Sequence, residues 1–147
     1  MLLYRITKAE YADKLVASGF RNRWNEDGEF VIYTSESRSL ACLENLVHRS
    51  HSGNDTLFRT MVIFIPDELP ILHIQEQNLP KNWREGFCSA CLKLGQKWYS
   101  ENRYPLLTVP TSVIPNEYNY LLNAHHPSFK RIELVSTEDF LFDSRFG

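Results

Sequence analysis

The sequence has 147 residues and a mass of 17.2 kDa, the size of one globular domain, and we expect a single domain over 1–147. Hydrophobic residues make up 43% of it and aromatic residues 13%, which excludes an intrinsically disordered chain. A formal charge of −2 argues against a protein that coats nucleic acid, because such binding needs a basic surface. No apolar stretch is long enough to span a bilayer or to form a secretory signal, so we expect a soluble, cytoplasmic protein. The three cysteines do not form a disulfide framework in a chain of this size.

The N-terminal part of the chain predicts short strands followed by a helix. Leu2–Ile6 is predicted to be a strand, and a polar, turn-prone stretch over 21–28 follows it. Phe30–Tyr33 is a second run of β-forming residues. Residues 34–37 supply capping side chains, and the periodicity after them predicts a helix from Ser39 to about Arg49.

The rest of the chain mixes a second helix with further short strands. Met61–Ile65 predicts a buried strand closed by Pro66, and Pro70–Ile74 a shorter one. A helix is predicted from Trp83 to about Glu101, with an apolar stripe formed by Phe87, Cys91, Leu94 and Trp98. Three short apolar segments finish the chain: Leu106–Val109, Tyr118–Leu122 and Ile132–Val135. Helices mixed irregularly among many short strands indicate an α+β fold and not a regular βαβ alternation.

Glu44 is the most informative single residue. On a helical wheel it projects inside the apolar face of the first predicted helix, which consists of Leu40, Leu43, Leu46 and Val47. The outward positions are taken by Arg38, Asn45 and Arg49. A carboxylate that points into a core costs several kcal/mol unless it is paired or lines a cleft. The wheel leaves three possibilities open: a functional site, a glutamate that reaches solvent at the helix end, and a buried ion pair.

Two residues before that helix have side chains suited to a ligand. Arg23 lies in the polar loop beside Trp24, and its guanidinium could bind a carboxylate or a phosphate through two hydrogen bonds. Tyr33 could stack on a flat ligand ring. Taken alone, a solvated loop arginine and a core tyrosine are the commoner explanations of these two residues.

The remaining reactive residues favour structural roles. Cys88 and Cys91 form a CxxC, but the pattern places them inside a helical stripe, which predicts buried structural cysteines and not a redox motif at a helix N-terminus. His48 and His51 stand one turn apart without a third ligand at a suitable spacing, which favours a surface pair over a metal site. For the histidines at 125–126 the sequence alone decides nothing.

Three ordered stretches carry the most specific information. They are NRWN at 22–25 continuing through Gly28 to Tyr33 and Ser35, LACLENLVH at 40–48, and VPTSVIPNEYNYLLNAHHPSF at 109–129. Together they resemble the signatures of the RES domain family, the toxin half of the RES–Xre toxin–antitoxin pairs of bacteria. The second stretch matches its signature at every fixed position, and the resemblance spans residues 4–134.

The sequence departs from the family pattern at two places. Thr111 stands where the family has serine, and Ser112 follows it. Threonine keeps the hydroxyl but adds a methyl group, so the role is retained with altered geometry. Ser112 could replace it only through a local shift, because adjacent strand residues face opposite sides. Ala124 stands where the family has proline, which loosens that loop.

The resemblance implies a compact α+β domain similar to the ADP-ribosyltransferase fold and a reaction that consumes NAD⁺. The nicotinamide–ribose bond would be broken, with water, phosphate or a protein side chain as the acceptor and without a metal. Glu44 would orient a ribose hydroxyl and stabilise the cationic transition state, and Arg23 and the Thr111 hydroxyl would complete the catalytic group. The NAD⁺-binding residues implied are Arg23, Tyr33, Ser35 and Asn119.

The resemblance also implies a partner. An Xre-type antitoxin would close the NAD⁺ cleft with its C-terminal region and assemble the toxin into a hetero-oligomeric complex, in which DNA is contacted only by the antitoxin. The charge of −2 agrees with that arrangement. Two alternatives stay open: a catalytically inactive RES relative that binds NAD⁺ or the antitoxin, and an unrelated metal or thiol enzyme that uses His48 and His51 or Cys88 and Cys91.

Overall fold

The computed structural model describes residues 1–48 and 56–146, and within these ranges the chain forms one sheet of seven strands with two α-helices. The strands are β1 (Leu2–Lys8), β2 (Val31–Ser35), β3 (Phe58–Phe64), β4 (Ile71–His73), β5 (Leu106–Pro110), β6 (Tyr118–Asn123) and β7 (Glu133–Phe140). The helices are α1 (Arg38–His48) and α2 (Ser89–Glu101). Short 3-10 turns cover 9–11, 76–78, 127–131 and 144–146.

The sheet is mixed, with the strand order β4-β5-β6-β2-β1-β3-β7. β4 and β5 are parallel, and the other neighbouring strands are antiparallel. A parallel pair needs a crossover connection, which α2 provides between β4 and β5. One βαβ unit within an otherwise antiparallel sheet confirms the predicted α+β class.

The middle of the sheet is buried on both sides. All five residues of β5 are buried, and alternate residues enter different cores because successive strand side chains face opposite sides. Leu107 and Leu121 pack with Trp98 of α2 in one core. Leu106 and Leu122 pack in the other. A smaller cluster forms where α1 meets β1.

The sheet opens between β1 and β2. β1 pairs with β3 along its whole length, from Leu2 opposite Phe64 to Lys8 opposite Phe58. With β2 it shares a single register position, Tyr4 opposite Ser35. The two strands therefore separate directly after that position, and the gap between them is where the candidate site lies.

The predicted start of the second helix is wrong. α2 begins at Ser89 and not at Trp83, because Gly86 adopts a left-handed conformation (φ 55°) that interrupts a helix. Trp83 is buried against Trp24, with ring centroids 6.4 Å apart. Phe87 lies outside the helix with 67% of its surface exposed, so it is no part of the apolar stripe.

The first helix agrees with its predicted range as far as the described residues extend, but two of its side chains do not face the sides that the wheel predicts. Val47 was assigned to the apolar face and is 60% exposed. Asn45 was assigned outward, and its side chain instead donates a hydrogen bond to the Ile6 carbonyl (2.9 Å). The buried residues of the helix are Leu40, Ala41 and Cys42. Its buried face therefore differs from the one predicted by the helical wheel and is turned towards β1.

The cysteine pair lies at the N-terminal end of α2. Cys91 is buried inside the helix, as predicted, but the predicted placement of Cys88 inside the helix is wrong. Cys88 is the N-cap, and its sulfur accepts a hydrogen bond from the Cys91 amide (3.1 Å). The two sulfurs form a disulfide, and both residues are buried, as predicted.

Reduction of this disulfide is expected to lower the thermal stability of the protein. A cross-link that closes so short a loop contributes about 2 kcal/mol to the free energy of unfolding through the entropy of the unfolded chain. For a chain of 147 residues this corresponds to about 6 °C in the unfolding midpoint. The measurement is thermal unfolding with and without dithiothreitol, and the double variant Cys88→Ala/Cys91→Ala should show no dependence on the reductant. Equal midpoints for the parent under both conditions would contradict the prediction.

Candidate active site

The gap between β1 and β2 opens into a cavity of about 800 Å³. Segments that are distant in sequence meet around it: the loop before β2, β2 itself, α1, and the strands β5 and β6 with the turn between them. All the residues that the sequence pointed to as site residues line this cavity: Arg23, Tyr33, Ser35, Glu44, Thr111 and Asn119. The structure thus brings these side chains to one place.

Glu44 is held by neutral hydrogen-bond donors. Its Oε1 accepts a bond from the Thr111 hydroxyl and another from the Asn119 amide Nδ2 (2.7 Å). Asn119 in turn accepts a bond from the Ser35 hydroxyl (2.9 Å). The exposed fraction of the Glu44 side chain is 21%, so the carboxylate lies in the cleft, partly shielded from solvent, and not in the core.

The second oxygen of Glu44 faces no strong cation. Its Oε2 lies 3.8 Å from Nε2 of His48, one turn along α1. Across residues 1–48 and 56–146, no lysine or arginine makes an ion pair with this carboxylate. The buried ion pair considered from the helical wheel is therefore not formed there. Oε2 is available to a ligand.

Local structure explains why Glu44 points into the cleft. α1 begins directly after β2, and the Ser37 hydroxyl caps it by accepting a bond from the Leu40 amide (3.1 Å). The register between β2 and β6 places Ser35 opposite Asn119. Since the apolar side of α1 packs on β1, Glu44 is directed towards this β2–β6 pair, where its donors lie.

The guanidinium of Arg23 binds backbone carbonyls of the loop before α2. It donates to Trp83 O (2.6 Å), Gly86 O (3.4 Å) and Arg84 O (3.4 Å). Burial lowers the pKa of Arg23, and the charge of Glu44 opposes that effect. The direct pairing with a carboxylate considered from the sequence is not formed.

Tyr33 has a fixed hydroxyl and a ring at the cavity wall. The hydroxyl donates to Oδ1 of Asn25 (2.5 Å) and accepts from the Trp24 amide (3.2 Å). Burial raises the pKa of Tyr33, so the phenol stays protonated. Sequence reasoning missed Asn25, which is buried and donates to the backbone carbonyls of the same loop, including Phe20 O (2.9 Å).

Thr111, which stands where the family pattern has serine, makes two hydrogen bonds through its hydroxyl. Only 1% of its surface is exposed, and the hydroxyl donates to Glu44 and accepts from the Val113 amide (3.0 Å). Ser112 makes no contact with Glu44 among the hydrogen bonds of the described residues. The threonine itself, and not its neighbour, stands at the carboxylate.

Of the other candidate residues, His48 and Cys88 also line the cavity. No group of three or more His, Cys, Asp or Glu side chains in the described ranges could hold a metal ion. His51, the proposed partner of His48, lies outside the described residues. In the same ranges no helix is long and apolar enough to cross a membrane.

Comparison with known proteins identifies the family. The model of the RES domain matches residues 2–143. The chain belongs to the RES domain family. This RES protein is 38% identical over 143 residues to the "Prs ADP-ribosylating toxin" of Sphingobium sp. (strain YBL2), an alignment that covers 91% of this chain and 87% of the relative. It is 36% identical over 151 residues to "Toxin Res" of Yersinia enterocolitica, and the alignment covers 99% of each.

A solved structure shares the fold of this RES protein. A chain in the crystal structure of the M. tuberculosis MbcT–MbcA toxin–antitoxin complex superposes with a TM-score of 0.76 at 19% identity, covering 95% of this chain and 83% of that one. The compact α+β domain predicted from the sequence is confirmed.

Proposed function

We propose that this RES protein is a toxin that consumes NAD⁺ by breaking the bond between nicotinamide and ribose. The observation that carries the proposal is the Glu44 carboxylate, fixed in a cleft by Thr111 and Asn119, whose second oxygen has only His48, at 3.8 Å, as a charged neighbour within ion-pair distance among the described residues. The Sphingobium relative is named an ADP-ribosylating toxin, and ADP-ribosyl transfer uses NAD⁺ as the donor. The name therefore supports NAD⁺ as the substrate here.

The chemistry of the bond fits this carboxylate. The nicotinamide–ribose bond breaks through an oxocarbenium-like state, which develops positive charge on the ribose while nicotinamide leaves as a neutral molecule. A negative group held in place before the reaction stabilises that charge without reorganisation. Oε1 of Glu44 is occupied by two donors, so Oε2 would accept a hydrogen bond from a ribose hydroxyl and face the developing cation.

The other residues would orient the substrate around Glu44. Tyr33, whose hydroxyl is fixed on the loop side, would present its ring to the nicotinamide. Ser35 would act through Asn119, whose amide it orients. Arg23 uses three of its five N–H groups on the loop carbonyls, and the remaining ones would bind ribose-side oxygens or phosphate.

The proposal includes a partner and leaves the acceptor open. An Xre-type antitoxin would occupy the cleft in a hetero-oligomeric complex in the cytoplasm, and DNA would be bound by the antitoxin. The structural neighbour from a toxin–antitoxin complex and the charge of −2 support this division. Water, phosphate and a protein side chain remain the possible acceptors.

The test is release of nicotinamide from NAD⁺ by the purified protein, with and without inorganic phosphate. We expect release, and a dependence on phosphate would identify phosphate as the acceptor. A parallel assay with labelled NAD⁺ in cell lysate detects transfer to a protein. If neither nicotinamide release nor transfer to a protein is observed, the proposal is overturned and an inactive relative that only binds is favoured.

Substitution of Thr111 is expected to separate the role of its hydroxyl from that of its methyl group. Thr111→Val keeps the shape but removes the donor to Glu44 and the acceptor for the Val113 amide, so nicotinamide release should fall about tenfold or more. Thr111→Ser keeps the hydroxyl and should stay within a few-fold of the parent, with stability lower by about 1 kcal/mol for the lost methyl. Equal rates for the valine variant and the parent would remove this hydroxyl from the reaction.

A further inference from the structure

The disulfide between Cys88 and Cys91 lies at the position that a redox-active CxxC requires. Cys88 caps the N-terminus of α2, and Cys91 lies in its first turn. α2 connects the parallel strands β4 and β5, so the pair stands at the start of the helix of a βαβ unit. A thiolate at this position is stabilised by the positive end of the helix dipole, which favours thiol–disulfide exchange. The expected placement inside the helix, which argued against a redox motif, does not hold for Cys88.

The two cysteines differ in their access to the cavity. Cys88 lines the cavity, and 6% of its surface is exposed. Cys91 is fully buried and packs in the same core as Trp98. A small thiol that enters the cleft therefore reaches the sulfur of Cys88 and not that of Cys91.

The turn that precedes Cys88 supports the Arg23 side chain. The guanidinium of Arg23 donates to the backbone carbonyls of residues 83, 84 and 86. Gly86, Phe87 and Cys88 line the cavity, so the same turn forms part of its wall. The disulfide ties the end of this turn to the first turn of α2. Reduction removes that tie, so the turn and the guanidinium bound to it gain conformational freedom.

We propose that Cys88 is a thiol–disulfide exchange site in the cleft and that its disulfide with Cys91 switches the affinity for NAD⁺. The thiolate of a low-molecular-weight thiol attacks the Cys88 sulfur, the bond between the two cysteines breaks, and its electron pair leaves on Cys91. A second thiolate attacks the outer sulfur of the mixed disulfide and releases Cys88. Two small thiols are thereby oxidised to one disulfide, the protein disulfide is reduced by two electrons, and the two thiol protons end on the cysteines.

The disulfide form is the one with the higher affinity. Its turn is ordered before the ligand arrives, whereas the dithiol form must order the turn and Arg23 on binding, which costs affinity. Disulfides in a reducing cytoplasm are mostly transient and redox-sensing. In the proposed cytoplasmic location the reverse exchange, with a low-molecular-weight disulfide as the oxidant, would therefore raise the affinity of the cleft. The switch rests on the proposed function for its ligand, NAD⁺, but the exchange reaction does not.

The first test measures NAD⁺ affinity in the two redox states. Calorimetry is carried out in a Glu44→Gln background, to prevent turnover, on oxidised protein and on protein kept reduced with dithiothreitol. We expect reduction to weaken NAD⁺ binding about fivefold or more. By linkage, NAD⁺ should make the disulfide harder to reduce by the same factor. Equal affinities of the two states would overturn the switch.

Two variants serve as controls for this measurement. Cys88→Ser/Cys91→Ala keeps a side-chain cap for α2 but cannot form the disulfide, so it should bind NAD⁺ with the affinity of the reduced parent under both conditions. Cys42→Ala removes the cysteine of α1, which is not part of the disulfide, and should keep the full response to dithiothreitol. A loss of the response in the Cys42 variant would contradict the assignment to this pair.

The second test follows the exchange reaction without NAD⁺. Oxidised protein is incubated with reduced glutathione, and single-cysteine variants with oxidised glutathione, and the adducts are measured by mass spectrometry. Cys91→Ala should form a mixed disulfide at Cys88, whereas Cys88→Ala should form none at Cys91, because that position is buried. A parent disulfide that resists reduced glutathione at every concentration, or equal adducts at both positions, would overturn the exchange site.

The third test follows the turn itself. Trypsin cleaves after Arg84, whose side chain pairs with Glu76 (2.6 Å) and whose carbonyl accepts a bond from Arg23 (3.4 Å). These contacts hold the turn against cleavage, and we expect reduction of the disulfide to accelerate cleavage at this position several-fold. An unchanged cleavage rate would show that the disulfide does not order the turn and would overturn the switch.

The outcomes distinguish this proposal from the proposed function. If NAD⁺ is bound and consumed equally in both redox states, only the switch is rejected. If no NAD⁺ is bound in either state while glutathione exchanges at Cys88 and reduction accelerates cleavage after Arg84, the exchange site stands and NAD⁺ consumption is rejected. Absence of both NAD⁺ binding and exchange rejects both proposals.

Discussion

Glu44→Gln is expected to lower the rate of nicotinamide release at least about 100-fold. Glutamine keeps the size of the side chain and one carbonyl oxygen for the Thr111 and Asn119 donors, so the hydrogen-bond network around it survives. What is lost is the negative charge that faces the ribose as the bond breaks. The loss should therefore appear in kcat more than in the affinity for NAD⁺.

The matched control is Glu36→Gln. Glu36 is an exposed carboxylate between β2 and α1, outside the cavity, so its neutralisation changes the net charge by the same amount. We expect it to release nicotinamide at the parent rate and both variants to unfold near the parent midpoint. A Glu44→Gln protein that retains turnover within a few-fold of the parent would remove Glu44 from the catalytic role.

Gly95→Ala is expected to destabilise the protein by about 3 kcal/mol or more, although alanine is the better helix former. A Cβ atom at this position of α2 would stand 1.7 Å from the carbonyl oxygen of Trp24 and 2.6 Å from its carbon. Both are backbone atoms, so no side-chain rotation relieves the clash, and either the helix or the Trp24 loop must move. Because Arg23 precedes Trp24, the affinity for NAD⁺ should fall together with the free energy of unfolding, measured by calorimetry and by urea denaturation.

Gly28→Ala serves as the comparison for Gly95→Ala. Gly28 has a positive φ of 85°, but nothing lies within 4 Å of an added Cβ. Its substitution costs only the conformational strain of about 1–2 kcal/mol and should leave NAD⁺ affinity unchanged. If Gly95→Ala proved as stable as the parent, the close approach of α2 to the Trp24 loop would be wrong.

Much of the fold follows from local patterns. The strand at Met61–Ile65 and the helix that carries Glu44 were predicted because continuous β-forming residues and a 3.6-residue period are local signals. The start of α2 was wrong for the opposite reason. Residues after Trp83 look helical in isolation, but burial of Trp83 against Trp24, some sixty residues earlier, and the left-handed Gly86 keep them in a turn.

The contacts within the site are likewise long-range and do not follow from local patterns. The resemblance to the family indicated Glu44, Thr111 and Asn119. Their contact depends on the pairing of β2 with β6 and of β6 with β5, which short-range periodicity does not encode. Arg5 lines the cavity and donates to the Tyr33 carbonyl (2.8 Å), and it went unnoticed because an arginine in a run of β-forming residues is ordinary on an exposed strand edge. Its position becomes informative only once β1 and β2 are seen to separate.

The hydrogen bonds that fix Glu44 span 67 and 75 residues of sequence. During synthesis the Glu44 helix emerges well before either partner, and its carboxylate stays hydrated until β5 and β6 have been made and have joined β2. Contacts this distant in sequence form late, because the chain between them must first be ordered. A nascent chain that ends before residue 119 has no assembled cleft, so the proposed toxic activity begins only after that residue has been made, and the proposed antitoxin would first meet an assembled cleft from that point on.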